Sequence, residues 1–122
     1  MSDAKKKLLL IFRHGPYGNK LSRAGLDVAL AAAAFDQDIN TLFMDDGVWQ
    51  LLPDQSAGSI DSKNVHSTLQ SLPLYDLESF HVDSHSLAAR RLEPAQLDGQ
   101  LVLLEPAELA EFIDSHDQVL SF

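Results

Sequence analysis

Five short apolar segments, separated by stretches with helical patterns, constrain the fold of this chain more than any other feature. The first segment, Lys7 to Phe12 (KLLLIF), is apolar and bounded by charge, which is typical of a strand buried on both faces. Similar segments follow at 39–44, 79–83, 101–104 and 119–122. Strands alternating with helices at this spacing predict βαβ units and a parallel sheet with helices on both faces.

The stretches between these segments supply the helices. The patterns predict helices over 23–35, over 61–72, from a cap at Ser84 or Ser86 to Arg91, and after Pro106, which suits a first helical position. The helix over 23–35 is apolar nearly all round, so we expect it to be buried on more than one side. In a domain this small, the second side of such a helix often meets another subunit.

Length and composition indicate one domain that spans residues 1–122, with a flexible segment at 1–6. Hydrophobic residues make up 45% of the chain, which is ordinary for a globular fold. No apolar run approaches the roughly 18–20 residues that a membrane span needs. The short apolar run near the N-terminus leads into Arg13 and His14 and not into a cleavage site, so we expect a cytoplasmic protein.

Charge and the absence of cysteine exclude several classes of function. The chain has no cysteine, so it forms no disulfide, no thiolate metal site and no cysteine nucleophile. Its formal net charge is −9, with few and scattered basic residues, which argues against direct nucleic-acid binding and favours a partner with a basic surface. We expect no cofactor and no metal.

Three loops, at 13–21, 45–53 and 83–87, follow strands and are expected at the carboxyl edge of the sheet, where parallel sheets form their sites. Arg13-His14-Gly15 in the first loop resembles the signature of the histidine phosphatases, in which the histidine is phosphorylated and the arginine holds phosphate. A small phosphohydrolase is therefore the alternative function. Those enzymes are usually longer, and a loop arginine and histidine near a subunit boundary would give the same tripeptide.

The second loop carries two carboxylates, a glycine and the single tryptophan of the chain. Asp45 and Asp46 suit either a two-carboxylate Mg²⁺ site or, more simply, a solvated turn, and the sequence lacks the alternating oxygen ligands of a Ca²⁺ loop. Trp49 and its neighbours either cover the core or form a protein–protein surface, where tryptophan is enriched. We expect a loop or a single turn over 47–52.

Motifs along the whole chain resemble the DsrE/DsrF/DsrH-like family and, within it, the TusC (DsrF) branch. The Asp-Gly-Val-aromatic-Gln-Leu-Leu block at 46–52 is the most specific of these motifs, and their order and spacing together carry the resemblance. The other motifs are Gly15-Pro16-Tyr17-Gly18, the helix start at 23–31, Leu74-Tyr75-Asp76-Leu77-Glu78, the segment 86–92 and the carboxyl end at 117–122.

The resemblance implies a three-layer α/β/α sandwich with a five-stranded parallel sheet. It also implies a heterohexamer with two copies each of TusB-, TusC- and TusD-like subunits. Such a complex relays persulfide sulfur, through a TusE-like acceptor, for 2-thiolation of the wobble uridine in tRNA. Related complexes serve dissimilatory sulfur metabolism in sulfur-oxidising bacteria.

The resemblance further places Asp83 near the position of the family's active cysteine, which belongs to the TusD-like subunit. Some TusC-like proteins carry a cysteine there too. Because aspartate cannot form a persulfide, the chain is expected to be a non-catalytic subunit and not itself an enzyme. The residues expected in strand-end loops or at a partner interface are Tyr17, Arg23, Asp45, Asp46, Gly47, Val48, Trp49 and Gln50.

Overall fold

Strands and helices alternate along the chain in a computed structural model that describes residues 7–15, 21–34, 38–52, 79–97 and 99–122. The strands are β1 (Lys7–Phe12), β2 (Asp38–Phe43), β3 (Ser79–Asp83), β4 (Gln100–Leu104) and β5 (Gln118–Ser121). The helices are α1 (Leu21–Ala34), α2 (Ser84–Ala89) and α3 (Pro106–Asp114), with 3₁₀ helices at Asp45–Leu51 and Pro94–Gln96. The helix expected over 61–72 lies outside the described residues. No helix in the described ranges is long and apolar enough to cross a membrane.

The five strands form one parallel sheet in the order β4-β3-β2-β1-β5. The expected α/β fold with a five-stranded parallel sheet is therefore confirmed. Strand β1 lies between β2 and β5, and Leu9, Leu10 and Phe12 are fully buried in it, which explains its unbroken apolar sequence. In the register, Phe12 lies beside Phe43, and Leu42 lies beside His81.

Each face of the sheet has its own apolar core. On one face, α1, the long 3₁₀ helix and α2 pack over a core centred on Phe12 and Phe43, whose rings stack with their centroids 5.0 Å apart. On the opposite face, which we call the α3 face, α3 packs on a smaller cluster. Leu9, Ile11, Leu42 and Leu104 form that cluster, with Leu109, Phe112 and Ile113 of α3 packed against it.

The structure differs from the sequence expectation in the segment after β2 and in the burial of α1. The segment after β2 is a 3₁₀ helix of seven residues and not a loop or a single turn. Gly47 allows this, because a Cβ at that position would lie 1.8 Å from the carbonyl oxygen of Phe12. Helix α1 buries Leu26 and Ala29, whereas Ala24, Asp27 and Ala31 are exposed, so its second side is open in the single chain.

Candidate functional site at the carboxyl edge of the sheet

Polar side chains gather where β1, β2 and β3 end. Arg13 follows β1, Asp45 and Asp46 follow β2, and Asp83 is the last residue of β3. Ser86 and Arg90 join them from α2 and the turn after it. Because parallel neighbouring strands end at the same edge, three distant parts of the sequence meet here.

Asp83 is buried, with 5% of its surface exposed, and caps the N-terminus of α2. One carboxylate oxygen accepts the backbone N–H of His85 at 3.2 Å, and the other accepts the hydroxyl of Ser86 at 2.6 Å. The expected cap, Ser84 or Ser86, is therefore wrong. Aspartate is as good a helix cap as serine, and Asp83 occupies the cap position because the helix already begins at Ser84.

Ser86 links this cap to the end of β2. Its Oγ accepts a hydrogen bond from the backbone N–H of Asp45 at 2.8 Å, and its hydroxyl donates a hydrogen bond to Asp83. Asp45 has φ +51°, the left-handed region that aspartate tolerates better than most residues. The hydroxyl of Ser86 thus satisfies the backbone of a turn that would otherwise be difficult to hold.

Both carboxylates of the second loop form ion pairs within the chain. Arg13 reaches Asp45 Oδ2 with Nε and Nη2, each at 2.9 Å. Arg90 reaches Asp46 Oδ1 with Nε at 3.1 Å and Nη2 at 3.0 Å, and its Nη1 donates to the carbonyl of Ser86. Each carboxylate is therefore held by an arginine, and both remain exposed to solvent, at 44% for Asp45 and 65% for Asp46.

The residues after Asp46 contribute mainly to the interior. Gly47, Val48 and Gln50 are buried, and the amide Nε2 of Gln50 donates to the carbonyl of His14 at 2.8 Å. Trp49 is partly buried and packs against the larger core, so it retains some surface for a partner. Tyr17 lies outside the described residues, and for Arg23 only the backbone is described.

Among the described histidines, His81 and His116 do not join the Arg13-His14-Gly15 tripeptide in a phosphate site. The guanidinium of Arg13 is engaged by Asp45, and His14 is exposed. His81 and His116 lie on the α3 face, where their rings flank Phe112 at centroid distances of 4.3 and 4.8 Å. In the described residues, no three histidine or carboxylate side chains converge as metal ligands would.

The histidine pair on the α3 face could not be found from the sequence, because its members are 35 positions apart. Burial lowers the pKa of His81, against a backbone hydrogen bond with Thr41 that raises it, and the nearby His116 lowers it further. His116 shares a hydrogen bond of 2.9 Å with Asn40. The cluster joins α3 to the sheet.

The hydrogen bond between Asp83 and Ser86 did have a signal in the sequence, since the two residues have the three-residue spacing of a helix cap and N3.

Comparisons with known proteins agree on one family. The model of the DsrE/DsrF-like family matches residues 6–122. Protein TusC homolog of Pseudomonas aeruginosa is 34% identical over 116 residues, covering 95% of this chain and 98% of that protein. The intracellular sulfur oxidation protein DsrF of Allochromatium vinosum is 35% identical over 136 residues, covering 100% of both.

Two further similarities extend this result. Protein TusC homolog of Vibrio parahaemolyticus is 40% identical over 118 residues, covering 95% of this chain and 98% of that protein. The crystal structure of the ychN protein from E. coli superposes with a TM-score of 0.81 and 23% identity, covering 96% of this chain and 99% of that one. At that identity the likeness concerns the fold.

Proposed function

The chain belongs to the DsrE/DsrF-like family, and from that premise we propose that it is a non-catalytic, TusC-like subunit of a TusBCD-type sulfurtransferase complex. Its partners are TusB-like and TusD-like subunits, two copies of each subunit type, in a cytoplasmic heterohexamer. The complex relays persulfide sulfur to a TusE-like acceptor for 2-thiolation of the wobble uridine in tRNA. No metal or cofactor takes part in this role.

The observation that carries the proposal is the absence of any thiol, together with the role of Asp83 as the cap of α2. Persulfide transfer needs a thiolate that attacks a donor persulfide and retains its outer sulfur. This chain has no cysteine. Asp83, which the family resemblance puts near the position of the active cysteine, is buried, and its two carboxylate oxygens accept hydrogen bonds from the start of α2. A covalent sulfur carrier must therefore be another subunit.

The contacts at the carboxyl edge support a scaffolding role. The ends of three strands are joined by Arg13–Asp45, by the Asp45–Ser86–Asp83 relay and by Arg90–Asp46. The ion pairs are at the surface and contribute roughly 0–1 kcal/mol each, so their value is geometric more than energetic. An edge held in this way presents a defined shape to a neighbour and offers no thiol of its own.

The first test is native mass spectrometry of the chain co-expressed with the TusB-like and TusD-like proteins of the same genome. We expect an assembly with two copies of each. The same assembly, exposed to a persulfide donor, should gain the mass of sulfur on a partner subunit and none on this chain. A chain that stays alone, or forms only homo-oligomers, would refute the proposal.

Trp49 tests whether the second loop lies at an interface. We expect Trp49→Ala to weaken assembly more than it weakens the fold, because the side chain is only partly buried. Leu51→Ala is the control, since Leu51 lies in the same 3₁₀ helix but is 2% exposed and has almost no surface to offer a partner. Equal losses of assembly at equal losses of stability would contradict an interface role for Trp49.

The name of the Allochromatium vinosum relative supports a second pathway for the same subunit, namely sulfur oxidation. A strain that lacks this chain separates the two. Loss of 2-thiouridine at the wobble position supports tRNA thiolation, whereas normal thiolation with impaired sulfur oxidation supports the second pathway.

The phosphohydrolase alternative is tested by incubating the chain with a phosphodonor. A phosphohistidine that forms on the wild-type chain and is absent in His14→Ala would displace the sulfur-relay proposal.

A further inference from the structure

The α3 face of the sheet is wider than the helix that covers it. Five strands spaced about 4.8 Å apart span roughly 19 Å, whereas a helix with its side chains is about 10 Å across. In the described part of the chain, α3 is the one helix that packs on this face. It covers β1 and β2 over Leu9, Ile11 and Leu42, which are almost fully buried. On this face the edge strand β4 is buried at Leu104, but both edge strands are open at Val102 and Val119.

Apolar side chains occupy the open strips on both sides of α3. Val102 of β4 lies beside His81 in the register, and Val119 of β5 lies beside Leu9, so both valines belong to the α3 face. Each is 40% exposed. Neither β4 (QLVLL) nor β5 (QVLS) carries a charge or a proline that would protect a free edge from association.

The exposed side of α3 is acidic. Glu108, Glu111 and Asp114 follow one another at a three-residue spacing, all exposed, and α3 carries no lysine or arginine. Like charges at this spacing repel, and Asp114 lies at the C-terminal end of the helix, where the helix dipole disfavours a negative charge. Within the isolated helix these two effects give Glu111 and Asp114 no stabilising role, whereas a basic partner would give them one.

We propose that the α3 face is the docking surface for a partner subunit that presents basic side chains around an apolar centre. The apolar strips at Val102 and Val119 would be covered by that centre, and the acidic side of α3 would pair with the basic groups. This inference rests on the proposed function, because the partner is a subunit of that complex.

Charge selects this occupant over the alternatives. A second copy of the chain would meet this surface through the same surface in a two-fold dimer, which places acidic stripe against acidic stripe. The net charge of −9 adds repulsion between copies. Nucleic acids and anionic lipid surfaces are repelled by the same carboxylates. A basic protein surface is attracted by them.

The test measures binding of single-residue variants to the co-purified TusB-like and TusD-like subunits. We expect Glu111→Lys and Asp114→Lys each to weaken binding roughly tenfold or more, because each sets like charges against each other at the interface. Glu93→Lys is the matched control, since Glu93 is exposed beside Leu92 and Leu97 of the core on the other face of the sheet, and the change in net charge is the same. It should bind within roughly twofold of the wild type.

A second pair of variants separates the two faces of the same strands. Leu103 and Leu120 are 42% and 39% exposed, and the register places them on the face opposite α3, beside Val82 and Leu10. We expect Val102→Ser and Val119→Ser to weaken binding, and Leu103→Ser and Leu120→Ser to leave it nearly unchanged. Circular dichroism melting of each variant checks that the fold persists.

The outcomes separate this inference from the proposed function. If the wild-type chain binds neither partner, both are overturned. If the wild type binds and the α3-face variants match their controls, or the controls alone lose binding, the docking surface is overturned while the proposed function stands. Loss confined to the α3-face variants, with wild-type binding that weakens as salt is raised, supports the docking surface.

Discussion

Replacement of Asp83 tests the structural role that the geometry gives to this position. In Asp83→Ala, the N–H of His85 loses its cap acceptor, and the hydroxyl of Ser86 loses the acceptor 2.6 Å away. A lost cap costs about 1 kcal/mol. A buried donor left without an acceptor costs about 1–3 kcal/mol more, and Ser86 is 3% exposed. The free energy of unfolding should therefore fall by about 2–4 kcal/mol, a large share of the roughly 5–15 kcal/mol that holds a domain.

Asp83→Asn is the matched variant, because it keeps the shape and one acceptor. The amide oxygen can still accept the N–H of His85, while the amide N–H₂ must face Ser86, whose Oγ already accepts from Asp45. The hydroxyl proton of Ser86 then loses its acceptor but the cap remains. We expect a loss of about 1–2 kcal/mol, smaller than that of the alanine variant.

Urea denaturation of the purified chain measures both losses, with Ser86→Ala and the Asp83→Ala/Ser86→Ala pair completing a double-mutant cycle. Residues that share a buried hydrogen bond should show a coupling of about 0.5–3 kcal/mol. Two results would refute the reasoning. One is an alanine variant that loses less than about 1 kcal/mol, and the other is additivity between Asp83 and Ser86.

Three further predictions concern other parts of the fold. Gly47→Ala should destabilise the chain by more than about 3 kcal/mol in urea denaturation, because its Cβ would overlap the carbonyl of Phe12, whereas Gly15→Ala, whose Cβ would have its nearest neighbour 3.7 Å away, should be tolerated. In the unfolded chain His81 is protonated as the pH falls through its ordinary pKa of 6.5, whereas burial lowers the pKa of His81 in the folded chain. The free energy of unfolding should therefore fall as the pH drops below about 6.5. Denaturation at a series of pH values measures this pH dependence, and His81→Phe should reduce it. Asp114→Lys should raise the free energy of unfolding of the isolated chain by about 0.3–1 kcal/mol, by removing a negative charge from the C-terminal end of α3, and an unchanged or lower value would contradict the helix-dipole argument.

The candidate site was predicted in part from the sequence. Strand ends are visible as the points where apolar runs stop, so Arg13, Asp45, Asp46 and Asp83 were placed at one edge of a parallel sheet. Their pairing was not predictable, because Arg90 comes 44 positions after Asp46 and Arg13 comes 32 positions before Asp45. A sequence shows which charges exist, but partner choice depends on how helices bring distant segments together.

The second loop shows the same limit in a different way. Its composition, DDGVWQLL, suits both a core cover and a protein–protein surface. Only packing divides these roles, since Val48 and Gln50 point into the domain while Trp49 keeps exposed surface. A 3₁₀ helix forms here because Gly47 lets the backbone approach the end of β1, a contact between segments that no local propensity encodes.

The sequence by itself determined the α/β class, the positions of the five strands and the impossibility of a persulfide on this chain. These follow from local apolar patterns and from composition, which do not depend on the folded state. The tertiary structure decided the strand order, the arginine partner of each acidic residue, the histidine pair around Phe112 and the coverage of each face of the sheet. Those properties depend on contacts between segments far apart in the chain, and such contacts are fixed only when the burial of all apolar faces is satisfied together.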